Sequence, residues 1–255
     1  MPETHQSSST QSDFPSARIL LLQARHDDDP VKREELESFA RRSGVAADQV
    51  TSHDILQGPP AMALLRRHDV MMVGGSGEYY VTKNHLPHQQ RTLEFLTEVA
   101  DHGPPTFASC FGFQLMVEAL GGELVYDPDA MEVGTYPVRL TEDGRTDELF
   151  RGLPEEFPAQ LGRKDRARRL PAEARHLAAS ERAPFQAFRL EGRPLWASQF
   201  HPELDHETNR GRYLRYLDGY AGHLTEEEKA RSLERFRPSP ATETLLHRFL
   251  RLVLT

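Results

Sequence analysis

The sequence predicts an α/β protein, with a mostly parallel central sheet covered by helices on both faces, a small antiparallel extension and C-terminal helices. Three observations carry this expectation. In the first half of the 255-residue chain, short apolar runs alternate with stretches of helical periodicity, the order expected of βαβ units. Runs such as Ile19-Leu20-Leu21-Leu22 are apolar without alternation, which suits strands buried on both faces. Glycine pairs at Gly74-Gly75 and Gly121-Gly122 stand where elements should stop.

Met1 to Ser16 is polar and rich in Ser, Thr and Gln, without the basic-then-apolar order of a signal peptide, and reads as a disordered tail. The main domain is expected over residues 17–204. It opens with a strand at Arg18 to Gln23. Asp29-Pro30 then starts a helix, with Asp29 as N-cap and Leu36, Phe39 and Ala40 facing inward. A second strand is expected from Val50 to Ile55 and a short helix from Ala61 to Arg66. A third strand, Asp69 to Val73, runs into Gly74-Gly75-Ser76-Gly77. A long helix covers Gln89 to Asp101. The strand Thr106–Ala108 leads through Cys110 into a helix that stops at Gly121-Gly122. From Thr135 the strands become shorter (Thr135–Leu140, Leu177–Ser180, Phe185–Leu190 and Pro194–Phe200), with Gly144 and Gly192 as turns between them. Residues 205–255 read as a helical extension. Thr225-Glu226-Glu227-Glu228 has the form of a capping box, and the last helix carries Leu246, Phe249, Leu250 and Val253 on one face, expected to pack on the domain.

Composition narrows the function classes. At 38% hydrophobic residues the chain can fill a core, and a net charge of −8 argues against nucleic acid as the main partner. The densest basic stretch, Arg163 to Arg169, reads as a solvated loop or strand edge. No apolar run reaches the roughly 18–20 residues that span a bilayer. One cysteine excludes an intrachain disulfide, so a reducing compartment and the cytoplasm are expected. Asp27-Asp28-Asp29 suits helix capping better than a metal, and His85 and His88 lack further ligands, so neither a metal nor a cofactor is expected.

The chemistry centres on Cys110, a lone thiol at a strand-to-helix turn, where the positive end of a helix favours a thiolate. His201 could act as its base, and Glu203, two residues on along an extended chain stiffened by Pro202, could orient the ring. In open α/β sheets reacting groups gather beyond the carboxyl ends of strands, where Gly74-Gly75, Cys110 and His201 all fall. The backbone N–H of Phe111 is then the first donor to an oxyanion and that of Gly75 the second. Each feature alone has a bland reading: a buried small hydrophobe, a surface turn, a flexible loop. Their joint occurrence in one topology is what carries weight.

These residues resemble the class I, triad-type glutamine amidotransferase domains, in particular stand-alone ones related to the glutaminase half of GMP synthetase. The resemblance rests on Gly74-Gly75-Ser76-Gly77, Cys110-Phe111-Gly112-Phe113-Gln114-Leu115, Met131-Glu132-Val133-Gly134, Leu170-Pro171 and Gln199-Phe200-His201-Pro202-Glu203, and covers Arg18 to Leu204. It implies a flavodoxin-like fold, a Cys110–His201–Glu203 triad, an oxyanion hole of Gly75 and Phe111, and substrate contact by Gln114. It also implies glutamine as substrate, a γ-glutamyl thioester on Cys110, and ammonia passed to a separate acceptor enzyme. Two departures stand out: Ala108 replaces a glycine of the elbow, and Arg163 replaces a loop histidine near the substrate, which puts the substrate range in question. A free-standing γ-glutamyl hydrolase using the same triad therefore stays open. So do a non-catalytic regulatory homologue, which the intact triad weighs against, and an oxidation-sensing thiol protein, which would not need His201 or Glu203.

Overall fold

The computed structural model describes residues 12–216 and 225–255. The capping-box segment begins at the edge of this range, and the expected tail over residues 1–11 lies outside it. Ser12 to Ser16 are not a free tail: the Asp13 N–H donates to the Gly44 carbonyl, and Phe14 packs against the core and the ring of His247.

Local sequence accounts for the first elements. The apolar run forms strand β1 (Ile19–Gln23), all of it buried. Helix α1 (Val31–Ser43) follows, its entry fixed by the Asp29 side chain, which accepts from Val31 N–H at 2.9 Å. Then come β2 (Val50–Asp54), α2 (Met62–Leu65), β3 (Val70–Val73), α3 (Gln89–His102), β4 (Thr106–Ser109) and α4 (Phe111–Ala119). The second half contains β5 (Glu123–Tyr126), β6 (Glu132–Leu140), α5 (Glu142–Thr146), β7 (Glu156–Arg163), β8 (Asp165–Arg169), β9 (Ala174–Ala179), β10 (Ala187–Leu190), β11 (Leu195–Ser198) and α6 (His206–Arg215). Helices Glu226–Leu233 and Leu245–Leu254 follow.

Nine strands form one sheet in the order β2-β1-β3-β4-β11-β10-β9-β6-β7, and β5 pairs with β8 in a separate ribbon. The first five are mutually parallel and the remaining four alternate antiparallel. The expected antiparallel extension thus returns a strand, β11, beside β4, in register Leu195 to Thr106 through Ser198 to Ser109.

Side-chain alternation along β1 divides the core. Ile19 and Leu21 join α1 and the last helix on one face, whereas Leu20 and Leu22 join α3 and α4 on the other. The last helix packs as expected: Leu246, Phe249 and Leu250 are fully buried, and the Phe249 ring lies 5.6 Å from Phe107 and 5.9 Å from Trp196.

Two further expectations are corrected, and one strand is added. Gly144 lies inside α5, not in a turn between strands; its Cα is so close to Leu177 that a Cβ would come within 2.0 Å of that carbonyl oxygen. The basic stretch runs through the end of β7 and along β8. Arg168 and Arg169 are exposed as expected of an edge, but Arg163 is buried because it pairs with Glu132 across β6 and β7. Strand β7 itself, broken in pattern by Pro158 and Gly162, is an addition to the predicted elements.

Candidate active site

Strands β3, β4 and β11 are neighbours, and the turn at the carboxyl end of each supplies one part of the site. After β4 the chain turns sharply at Cys110, whose φ of 52° and ψ of −102° put a non-glycine residue in a sparsely populated region, and α4 begins at the next residue. Two backbone bonds clamp this elbow: Cys110 N–H donates to Ser198 O at 2.8 Å, and Gly112 N–H to Gly74 O at 3.1 Å. The glycine at 112 is obligatory in this geometry, since a Cβ there would stand 2.6 Å from Val73 O. Ala108, by contrast, sits fully buried in β4, its methyl group accommodated in the core. Phe111, as the first residue of α4, presents a first-turn N–H beside the thiol.

His201 is brought to the thiol by β11 and held from two sides. Its backbone N–H donates to Gln160 O at 2.9 Å, and its Nδ1 lies 2.6 Å from Glu203 Oε1. Glu203 is fully buried. Burial alone would push the proton off the His201 ring, but the charges of Cys110 and Glu203, and hydrogen bonding to both, outweigh it and raise the imidazole pKa to about 10. The Cys110 Sγ is also 3.8 Å from the carbonyl oxygen of Gly162, at the end of β7.

On the other side, the Gly75 N–H donates to Glu35 Oε1 at 3.2 Å. Glu35 projects inward from α1, fully buried, and is gripped by Arg25 through Nε and Nη2 at 3.0 Å each and by Gln23 Nε2 at 2.8 Å. Burial, which would raise its pKa, is outweighed by the charges of Arg25 and then Arg212, so it falls from 4.5 to about 2. Sequence reasoning singles out none of Glu35, Arg25 and Arg212. A signal exists, because Glu35 interrupts the inward stripe of Val31 and Phe39 at spacing four.

Gln114 lies one turn into α4, its Nε2 bonded to Asp165 O at 3.3 Å and Gln199 Oε1 at 3.2 Å. It lines a cavity of about 20 Å³ with Cys110, Phe111, Arg163 and Tyr80. A second cavity of about 30 Å³ lies on the His201 side, bounded by Arg25, Arg212 and Tyr216. Each has room for about one water molecule. The Tyr216 ring packs over Gly77 at the wall of the second cavity, and its hydroxyl donates to Asp29 at 2.6 Å and accepts from Arg25 at 2.9 Å. Arg163 places Nη2 2.5 Å from Glu132 Oε2, while Glu132 also accepts from Ser180 and Gln186. His85 and His88 stay apart from the site in exposed positions, and among the described residues no cluster of three or more His, Cys, Asp or Glu could hold a metal ion. No helix among them is long and apolar enough to cross a membrane.

Cys110 at the end of β4 thus stands beside the His201–Glu203 pair, which follows the neighbouring parallel strand β11. The model of the glutamine amidotransferase class-I family matches residues 40–217. The chain belongs to this family. Among curated relatives of this amidotransferase, a glutamine-hydrolyzing GMP synthase of Streptomyces avermitilis is 29% identical over 179 residues, which is 70% of this chain and 32% of the relative. A glutamine-hydrolyzing GMP synthase of Syntrophomonas wolfei is 37% identical over 106 residues, 42% of this chain and 20% of the relative. The match thus spans about a third of the first relative's length and about a fifth of the second's. Solved structures agree on the fold. A glutamine amidotransferase from Thermotoga maritima superposes with a TM-score of 0.68 at 20% identity, covering 94% of this chain and 99% of that one. One from Methylobacillus flagellatus gives 0.66 at 16%, covering 94% and 96%.

Proposed function

We propose that this amidotransferase hydrolyses the side-chain amide of glutamine through a γ-glutamyl thioester on Cys110 and supplies the ammonia to a separate acceptor enzyme. The observation that carries the reading is the elbow itself: a strained cysteine at the start of α4, beside a histidine whose Nδ1 lies 2.6 Å from a fully buried carboxylate. With the shared proton on the ring, Sγ attacks the amide carbon as a thiolate and the carbonyl electrons move onto oxygen. Phe111 N–H, and Gly75 N–H once it exchanges Glu35 for this oxygen, stabilise the oxyanion. The C–N bond then breaks as the nitrogen takes the His201 proton, and ammonia leaves. The neutral ring next takes a proton from water, hydroxide adds to the thioester, and glutamate departs as the thiolate and imidazolium are restored. Glu203 stabilises the imidazolium throughout, and Gln114 helps to line the substrate pocket.

The experiment is incubation of the pure protein with glutamine, and separately with γ-glutamyl dipeptides, followed by acid quench and mass spectrometry of the Cys110 peptide. A glutamyl adduct with glutamine, absent in Cys110→Ala, is the expected result. Turnover of the dipeptides in preference to glutamine would favour the γ-glutamyl hydrolase instead, a reading that Arg163 in the wall of the Cys110 cavity supports. Absence of any adduct or turnover, with candidate acceptor enzymes present, would overturn both.

A further inference from the structure

The two ends of the site, one holding a proton and the other a backbone N–H, each finish on a buried carboxylate, and one guanidinium stands between them. Arg212 Nη1 lies 3.7 Å from Glu35 Oε1 and 3.9 Å from Glu203 Oε1. Its Nε is 3.0 Å from Glu34 Oε1, which fixes the side chain below the fork. Arg212 is buried and bounds the cavity on the His201 side. Among the described residues neither Nη1 nor Nη2 has a hydrogen-bond partner, and neither does Glu203 Oε2. The guanidinium is thus poised between two acceptors, hydrogen-bonded to neither.

We propose that Arg212 is a positioning residue of the Cys110 site: a cation on α6 that stands between Glu203 and Glu35 and so holds the His201 ring and the Gly75 N–H in place. The inference rests on the glutaminase reading above. The charged and titratable groups facing Arg212 are Glu34 and Glu35 from α1, Arg25 after β1, His201 and Glu203 after β11, and Tyr216 at the end of its own helix. Arg25 cannot take its place, because Nε and Nη2 are committed to Glu35 and Nη1 to Tyr216 and Asp29. Two carboxylates sharing a buried neighbourhood repel unless a cation stands near both. Without Arg212, Glu203 would keep His201 as its ion-pair partner and lose the second cation.

The test uses the full chain with Arg212→Gln and Arg212→Lys, measuring glutamine hydrolysis across pH alongside the thioester trap. For Arg212→Gln, kcat falls about 10²-fold while KM stays within about threefold, as expected of a residue that acts through Glu203 and Glu35. The alkaline limb, where His201 loses its proton, moves to higher pH, because removing a positive neighbour favours the charged ring. Arg212→Lys restores most of kcat, and Arg210→Gln, on the exposed side of α6, changes nothing. If Arg212→Gln does not fold, the double variant Arg212→Gln/Glu34→Gln removes one charge of each sign, leaves Glu35 and Glu203 in place, and still shows the lower kcat and the shifted limb. A folded Arg212→Gln, or the folded double variant, with unchanged kcat and unshifted limb overturns the role of Arg212 while a wild-type thioester leaves the glutaminase reading intact. A wild type that forms no thioester with glutamine or a γ-glutamyl dipeptide overturns both.

Discussion

The parallel and antiparallel halves of the sheet contribute to the site in different ways. In the parallel half, β3, β4 and β11 all end on one edge, so Gly75, Cys110 and His201 meet although they lie far apart in sequence. In the antiparallel half, strands alternate in direction, so only every second strand end reaches that edge. The end of β7 supplies Gly162 and Arg163, and the start of β6 supplies Glu132. The first half collects the candidate reacting groups and the second builds a wall. Their buried ion pairs differ accordingly. Arg25–Glu35 is saturated by Gln23, Gly75 and Tyr216, whereas Arg163 leaves Nε and Nη1 without hydrogen-bond partners among the described residues.

The sharpest way to break this comparison is to remove the saturated pair. Glu35→Ala strands the Arg25 guanidinium in the interior and frees Gly75 N–H, and is expected to cost about 3–5 kcal/mol in urea unfolding. Its pH dependence has a definite sign. The Glu35 pKa is depressed from 4.5 to about 2, so the unfolded chain binds the proton first as pH falls. The stability from Glu35 is present in full above pH 4.5 and is lost as pH drops towards 2. Glu35→Gln should flatten that part of the acid unfolding curve; an unaltered curve would show that Glu35 is not the group responsible.

Two glycines separate packing from chemistry, one in each half. A Cβ at Gly112 would press on Val73 O at 2.6 Å and one at Gly144 on Leu177 O at 2.0 Å, so alanine at either position should destabilise by about 1–3 kcal/mol through overpacking. Only Gly112→Ala should also abolish thioester formation, because it displaces the elbow. Equal loss of thioester from Gly144→Ala, measured on folded protein, would mean the antiparallel half governs the reaction more closely than its geometry indicates.

The halves also differ in what can be read from sequence. The β1 run is apolar on both faces and could only be a buried strand, and β3, β4 and β11 lead directly into short motifs that mark their own ends. Cys110, His201 and Glu203 can be picked out because Cys110 stands at a strand-to-helix turn and His201 and Glu203 lie two residues apart after an apolar run. Strand β7 is not, because Pro158 and Gly162 break its alternation and its identity comes from pairing with β6. Glu35 and Arg212 escape a sequence reading for a related reason. A charged residue on a helix reads as solvated unless the packing around it is known, and these two meet from helices separated by most of the chain. Arg163 is disguised in the same way, as part of a basic stretch that looks solvated.

The electrostatics of His201 can be tested without any substrate. His201 should remain protonated to about pH 10 in an NMR titration of its ring. Because its pKa is raised above the ordinary 6.5, its stabilising contribution is complete below that value and is lost as pH rises through about 10. Cys110→Ala removes the charge that opposes burial most strongly, so the His201 pKa should fall while Glu203 still holds Nδ1. A pKa that does not move would place the charge partner elsewhere.

The smallest expected effect comes from the same two strands that carry Arg163. Glu132 faces Arg163 at one end of the β6–β7 ladder, and Arg139 faces Glu156 at the other, with the same pair of residue types in the same cross-strand relation. The first pair is buried against the Cys110 cavity; in the second, Arg139 is 67% and Glu156 52% exposed, with Nη2 2.8 Å from the carboxylate. Water screens the exposed pair and offers both partners alternatives, so Arg139→Ala should cost at most about 1 kcal/mol and less as salt is added. Glu132→Ala should cost several times more, because it leaves a buried guanidinium with no carboxylate. Urea unfolding of the two variants at low and high salt makes the comparison. A similar cost for both would mean that β6–β7 pairing, and not burial at the site end, sets the strength of these ion pairs.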